Sequence, residues 1–325
     1  MILVVGQNVA WQKVCTLPRL VVGGVSRIEE VRAFPSSKGP NVARTLAAFG
    51  TKALVLGYAG GDTGRLFVES FTREGLAGDF TRIRAETRTC TTFVDREGTC
   101  SEVIEPPPEI DGEEREAFRR SFGAHIGGAR VLVISGTVVR GESEDCYRSF
   151  AREARSRGAV VLVDSSGREA RHALAEKPEV WKVNRHELAE IVGHPVDDMP
   201  ERIRAYRTLA TRFGVRWVMA SHGAEGMECF NGSVLRHAVP PRVRVVNSIG
   251  SGDAATAGVA WVLDARGDGC PAGDLLDSDD CAREALVTAT AMGTANCLNA
   301  VNGKVLREDF TRIRDQVRVR EIPLA

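Results

Sequence analysis

Val131-Leu132-Val133-Ile134, the helix-length segment Glu142–Arg157 and Val160-Val161-Leu162-Val163 form the stretch from which the fold can be read. Both four-residue runs are apolar at every position, without alternation, as strands buried on both faces require. The segment between them is rich in Arg, Glu and Ala and is long enough for a crossover helix. Strand, helix and strand in succession imply parallel pairing, with helices covering the sheet on both sides. The same rhythm continues outward. Ile2–Val5 and Ala53–Leu56 precede the stretch; Val180–Val183 and Trp217–Ala220 follow it, with Pro200–Phe213 as another helix-length segment.

Two segments break the rhythm. Val14–Pro35 and Arg88–Pro108 are rich in Thr, Val, Arg and Glu and alternate in polarity, as in Thr89-Cys90-Thr91-Thr92-Phe93-Val94. They read as half-exposed antiparallel strands. Two such excursions predict a small β lid beside an α/β body, with Pro106-Pro107-Pro108 marking the return. The expectation is one domain over residues 1–325, its lid formed by about 14–35 and 88–108. No internal repeat or linker of domain-separating length is present.

Hydrophobic residues make up 43% of the 325 positions, enough for a sizeable core. Basic and acidic residues number 43 each. That balance speaks against nucleic acid or an anionic membrane as the main partner, while leaving room for a local basic pocket. The eight cysteines have neither CxxC spacing nor neighbouring histidines in a zinc pattern. They read as free thiols of a reducing compartment. Met1-Ile2-Leu3-Val4-Val5-Gly6 is too short for a signal sequence, and no run approaches the roughly 20 apolar residues of a membrane helix. A cytoplasmic protein is expected.

The sharpest motif is Asn247-Ser248-Ile249-Gly250-Ser251-Gly252-Asp253-Ala254, between the strand-like Val243–Val246 and a helix expected over Ala254–Leu263. Glycines there allow a tight bend. The N–H groups of Gly250, Ser251 and Gly252, with the helix dipole, can form an anion hole. Asp253 at its lip can take a proton from an attacking hydroxyl. The tetrapeptide alone equally suits a plain helix start.

The constellation around it resembles the PfkB family of carbohydrate kinases, which share the ribokinase fold. The Asn247–Ala254 segment is similar to the family's second signature. Ser37-Lys38-Gly39-Pro40-Asn41-Val42-Ala43-Arg44 resembles the first. Gly61-Asp62-Thr63-Gly64, Thr87-Arg88-Thr89-Cys90, Ser135-Gly136-Thr137, Lys182-Val183-Asn184-Arg185-His186-Glu187-Leu188 and Gly223-Ala224-Glu225-Gly226 match further family segments in order. The branch resembled most is the 1-phosphofructokinase and tagatose-6-phosphate kinase group. The resemblance implies a ribokinase-like three-layer α/β/α body with a mostly parallel sheet and a β lid. It also implies ATP and Mg²⁺ as cofactors, a sugar phosphate as acceptor and a homodimer through the lid.

The resemblance assigns roles as follows. Asp253 would be the general base and the 250–253 loop the anion hole. Gln12, Arg27, Lys38, Gly39, Asn41, Arg88, Ser135 and Gly136 would meet the acceptor; Arg27 lies in Gly24-Val25-Ser26-Arg27, similar to a family lid segment. Arginine suits bidentate contact with phosphate. Lys182, Asn184, Ser221, Gly223, Glu225, Gly226, Thr290, Thr294 and Asn299 would line the nucleotide site. Asn184 and Glu187 would organise Mg²⁺, partly through water; they equally form a helix capping box, and both readings can hold together. Thr290 and Thr294 also suit tight helix packing. His222, beside the glycine turn, reads as a surface residue.

Three positions depart from the family pattern. Gln12 stands where the family carries an aspartate that holds sugar hydroxyls; glutamine bonds but carries no charge. Ser36-Ser37 replaces a glycine pair at the lid hinge and is expected to stiffen the hinge or narrow the pocket. Val183 replaces a proline, a mild change. A kinase for an unphosphorylated sugar or nucleoside, and a catalytically weak ligand-binding homologue, therefore stay open. A dinucleotide-dependent oxidoreductase does not fit, because Gly6-Gln7-Asn8 follows the first strand in place of GxGxxG.

Overall fold

The computed structural model describes residues 1–270 and 272–324. The first half of the chain contains β1 (Ile2–Asn8), β2 (Ala10–Thr16), β3 (Glu30–Ser36), α1 (Lys38–Ala48), β4 (Ala53–Gly60), α2 (Gly61–Arg73), β5 (Ala77–Ile83), β6 (Thr89–Val94), β7 (Cys100–Ile104), α3 (Gly112–Ile126), β8 (Val131–Ser135) and α4 (Cys146–Ser156). Then come β9 (Val160–Asp164), α5 (Gly167–Leu174), β10 (Val180–Asn184), α6 (Arg185–Val192), α7 (Met199–Phe213), β11 (Trp217–Ser221), β12 (Met227–Phe230) and β13 (Leu235–Val239). The chain closes with α8 (Ser251–Arg266), α9 (Ala272–Asp277), α10 (Asp279–Asn296), α11 (Arg307–Arg314) and β14 (Arg318–Ile322).

Ten strands form one sheet in the order β14-β13-β12-β11-β10-β9-β8-β1-β4-β5. From β5 to β11 every pairing is parallel; β12, β13 and β14 extend the far edge antiparallel. The parallel strands are buried on both faces, as their unbroken apolar runs demand. One face packs on α3, α4 and α7 through Phe118, Phe150 and Tyr206, the other on α1, α8 and α10 through Val42, Ala257 and Leu286. The result is the three-layer α/β/α architecture. Chain order reverses at β1, which lies between β4 and β8. In open parallel sheets such a reversal opens a crevice at the carboxyl ends of the strands.

A second sheet, in the order β3-β2-β6-β7, stands over that crevice. Its boundaries differ from the sequence expectation. Only Val9 separates β1 from β2, so the first excursion begins at Ala10, and residues 17–29 form a loop. Val243–Val246 is not a sheet strand, although its composition suits one. Pro240-Pro241 directly follows β13 and supplies no N–H donors, so ladder pairing stops there. Val246 instead donates its N–H to the Cys297 carbonyl at 2.7 Å.

Two glycines set how closely α1 approaches the end of β1. A Cβ on Gly39 would stand 3.0 Å from the Gly6 Cα, and one on Gly6 would stand 2.8 Å from the Gly39 Cα. Backbone faces backbone there, so neither side can yield by a rotamer change. Gly39→Ala is expected to destabilise the fold by about 1–3 kcal/mol, read as a lower urea midpoint at unchanged slope.

Candidate active site

Five elements bring ionisable groups to the crevice. Asp164 ends β9, Lys182 precedes the end of β10, Lys38 opens α1, Asp253 lies in the first turn of α8, and Glu187 lies in the first turn of α6. Asp164 is buried between the ammonium groups of Lys38 (Oδ1, 3.0 Å) and Lys182 (Oδ2, 3.4 Å). It also accepts from Thr256 Oγ1 at 2.6 Å. Burial alone would raise its pKa, but the two lysines and the hydroxyl outweigh it and push the carboxyl down to about 2. Burial opposes the charge on Lys38 in turn, yet Asp164, Asp253 and Glu187 together hold its pKa above the ordinary lysine value.

Asp253 is buried too, and its carboxyl is pushed up to about 6. Desolvation is the largest cause, and the Asp164 charge adds to it; Lys38, Lys182 and a hydrogen bond from Asn41 work against it. Asn41 Nδ2 donates to Asp253 Oδ2 at 2.7 Å. Gly250 caps α8 with φ of 83°, a left-handed conformation that glycine adopts without strain. Of the three expected anion-hole amides, that of Ser251 is already committed to the Ser248 carbonyl at 3.2 Å. At a helix start the next amides, those of Gly252 and Asp253, lack intrahelical acceptors, and they continue the donor set.

A cavity of about 610 Å³ adjoins this loop. Ser221, Gly223 and Gly226 line it from the β11–β12 turn, Ser251 and Gly252 at the α8 end, and Thr290 and Thr294 from α10. The threonine hydroxyls donate to the Leu286 and Thr290 carbonyls of their own helix. Four expected nucleotide residues lie outside the lining: Lys182 paired with Asp164, Asn184 at the start of α6, Glu225 in an exposed ion pair with Arg185, and Asn299 beyond the end of α10.

A model of the pfkB family of carbohydrate kinases matches residues 8–299. The chain belongs to the pfkB family of carbohydrate kinases. As such it is an ATP-dependent sugar kinase. Solved structures share its fold. Escherichia coli phosphofructokinase-2 in complex with substrates and products superposes with a TM-score of 0.87 at 22% identity, covering 97% of this chain and 98% of that one. A possible 1-phosphofructokinase from Thermotoga maritima gives 0.85 at 20%, covering 99% of both chains. Ribokinase from Giardia lamblia gives 0.81 at 14%, covering 96% and 99%.

On the lid side of this kinase the expected acceptor residues are only partly gathered. Gly39, Asn41 and Lys38 lie at the start of α1, and Gly136 passes 3.6 Å from Lys38 Cβ, measured from where its own Cβ would be. Ser135 ends β8 with a buried hydroxyl that has no partner among the described residues. Arg88 donates Nη2–H to the Asn8 carbonyl at 3.2 Å, and its buried Nε has no partner there either. Gln12 is turned into the lid, with Nε2 donating to Thr92 Oγ1 (2.9 Å) and the Lys13 carbonyl (3.2 Å). Arg27 is exposed in the loop 17–29, without an ion pair among the described residues. Family kinases use ATP and typically Mg²⁺. Asn184 and Glu187 form the expected capping box, each side chain bonded to the other's N–H at 2.9 Å. Glu187 Oε1 faces Lys38 Nζ at 4.0 Å. One carboxylate with phosphate oxygens and water suits Mg²⁺, which dehydrates reluctantly.

Sequence reasoning missed Asp164 and Thr256, which complete the charge cluster. It also placed His222 on the surface, whereas the side chain is 1% exposed and bonded to Glu228.

The raised pKa of Asp253 has a stability consequence. In the unfolded chain an aspartate titrates near 3.8, so between that pH and about 6 the folded state binds more protons. Stability falls as pH rises through this window, by on the order of 3 kcal/mol in total. Asp253→Asn is therefore expected to unfold at higher urea than the parent at pH 8, with the gain gone below pH 4.

Proposed function

We propose that this kinase transfers the γ-phosphoryl group of ATP to a hydroxyl of a sugar phosphate, of the 1-phosphofructokinase, 6-phosphofructokinase or tagatose-6-phosphate kinase type, with Asp253 as general base. The observation that carries the reading is a buried carboxylate poised near pH 6 at a helix N-terminus, between the lid-covered crevice and the 610 Å³ cavity. A base works best when its pKa lies close to the working pH.

The adenine nucleotide occupies the cavity, with its phosphates toward Gly252. The acceptor lies under the lid, near Gly39, Asn41, Ser135 and Gly136. Its hydroxyl gives its proton to Asp253 as the oxygen attacks the γ-phosphorus. The bond from that phosphorus to the β–γ bridging oxygen breaks, and ADP leaves. The amides of Gly252 and Asp253, with Lys182, stabilise charge on the transferring group. Asn184 and Glu187 would hold Mg²⁺, partly through water, and the ion would supply neutralisation of phosphate charge. The lid excludes water and limits hydrolysis. Lys38 and Arg88 are the cations available for the acceptor's own phosphate.

A second reading has a specific observation behind it. Lys38 is already paired with Asp164 and Glu187, Arg88 Nη2 donates to the Asn8 carbonyl, and Arg27, without an ion pair among the described residues, is exposed in the loop 17–29. An unphosphorylated sugar or nucleoside would make fewer demands there.

The whole chain acts as one kinase domain with its lid. Val22 and Val25, 96% and 85% exposed, lie in the lid loop, while Val31, Val103 and Ile104 expose further apolar surface on the lid strands. A homodimer through the lid would cover these residues; Escherichia coli phosphofructokinase-2 has been described in a tetrameric inhibited form. Among the described residues no helix is long and apolar enough to cross a membrane, and the reaction is placed in the cytoplasm, where ATP is supplied.

The test is ATP consumption over a panel of phosphorylated and free sugars. The expected outcome is turnover with a ketohexose monophosphate. Asp253→Asn should lower kcat about 10²–10⁴-fold with little change in either KM, and the acid limb of kcat/KM should lie near pH 6. Turnover confined to free sugars moves the assignment to the second reading. No acceptor above the Asp253→Asn control would sink both.

A further inference from the structure

The turn between β11 and β12, residues 222–226, is gripped from two sides by imidazoles that none of the roles above uses. On one side His222 is buried. Its Nδ1 accepts from Arg185 Nε at 3.2 Å, and its Nε2 faces Glu228 Oε2 at 3.1 Å. The same Glu228 oxygen accepts from Tyr206 OH (2.6 Å) and Arg202 Nε (3.2 Å). On the other side His237 Nε2 faces the Glu225 carbonyl at 2.7 Å, and its Nδ1 accepts from Arg320 Nη2 at 3.1 Å. A guanidinium can only donate. Each Nδ1 is therefore the accepting nitrogen, and each Nε2 presents its hydrogen to the oxygen it faces.

The two halves are one construction. Ala220, Glu228, His237 and Arg320 face each other across β11, β12, β13 and β14, so they share a face of the sheet. Arg185 joins the halves, because its Nη2 also reaches Glu225 Oε1 at 2.9 Å. The turn itself is closed by His222 N–H to the Gly226 carbonyl at 2.8 Å. Burying Glu228 with Arg202 is costly, and an apolar set of equal volume would stabilise the sheet as well or better. What the polar set supplies is direction, since each bond fixes one atom of the turn. Arg185 also follows Asn184 directly, so the same contacts tie the turn to the start of α6.

We propose that His222 and His237 are positioning residues that hold the 222–226 turn in the shape that receives the nucleotide. The inference rests on the cavity being the nucleotide site. It is tested on the full-length enzyme by KM for MgATP, by kcat, and by MgADP binding measured calorimetrically. His222→Leu and His237→Leu remove both ends of each connection. They are expected to raise KM for MgATP and the dissociation constant of MgADP about tenfold, with kcat and the acceptor KM within twofold. His222→Gln and His237→Gln keep an N–H donor toward Glu228 and Glu225 and should restore most of the affinity. Arg320→Leu changes an exposed side chain and leaves the core intact, so it reports even if a leucine variant does not fold; it should raise KM for MgATP about threefold. Wild-type enzyme that binds MgADP, alongside folded variants that bind it equally well, overturns this inference alone. So does a loss that falls on kcat without rescue by glutamine. Wild-type enzyme that binds no MgADP overturns the nucleotide reading and this inference with it.

Discussion

Asp164 lies between two ammonium groups at the bottom of the crevice, and the charge state of the whole site depends on it. Lys182 is buried and Lys38 half-buried, and a charge withdrawn from water without a partner faces the desolvation penalty alone. Asp164 pairs with both ammonium groups, and Thr256 occupies one of its remaining lone pairs. The lysines in turn keep Asp164 ionised down to about pH 2, so it is a fixed negative charge at any physiological pH. That fixed charge acts on Asp253. Two carboxylates in one buried cluster cannot both ionise freely, and the environment drives them apart: one to about 2, the other to about 6. On Asp253 burial is the larger cause and the Asp164 charge adds to it, so the group that can exchange a proton near neutrality lies beside one that cannot.

The cluster is a consequence of the sheet. Strands β8, β9 and β10 end side by side, and β1 ends beside β8, where chain order reverses. Ser135, Asp164 and Asn184 occupy the last positions of those neighbouring strands. Two helix starts, those of α1 and α8, close over them and deliver Lys38 and Asp253. Each side chain is carried on a regular element with its own internal bonding, so the distances do not depend on a mobile loop. The lid contributes differently. Its apolar loop and the inward-turned Gln12 make it a cover over this rigid floor.

What could be read from the sequence was what is local. Continuous apolar runs gave the parallel strands, and Asn184 with Glu187 gave the capping box, because both depend on neighbours within four positions. Asp164 was not legible: it is one carboxylate at a strand end, 126 residues from Lys38 and 92 from Thr256. No spacing rule connects them; only the sheet order does. His222 was misplaced for the same reason, since its partners Tyr206, Arg185 and Glu228 lie on three different elements. Val243–Val246 failed in the opposite way. Its composition suits a strand, but Pro240-Pro241 takes the segment off the ladder. Asn299 sits three residues past the end of α10, where the helical periodicity that would aim it at the cavity has stopped.

The two serines at the lid hinge illustrate how a substitution can act away from where its residue type points. Ser37 keeps a backbone conformation proper to glycine, φ 102° and ψ 166°, which costs a serine about 1–3 kcal/mol. Its hydroxyl donates to the Asn8 carbonyl at 2.9 Å, offsetting part of that cost. Ser36 reaches further. Its hydroxyl donates to Asn41 Oδ1 at 2.9 Å, and Arg44 Nη1 donates to the same oxygen at 3.1 Å. With two donors aimed at its oxygen, the Asn41 amide can present only its nitrogen to Asp253, which fixes the rotation of that amide and the position of Asp253 Oδ2. Asn302 Nδ2, 3.3 Å from the Ser36 hydroxyl, closes the chain of contacts back to Asn247, at the start of the loop that carries Asp253. A glycine at position 36 has no hydroxyl to do this. The change at the hinge therefore bears on the orientation of the proposed base as well as on the freedom of the lid.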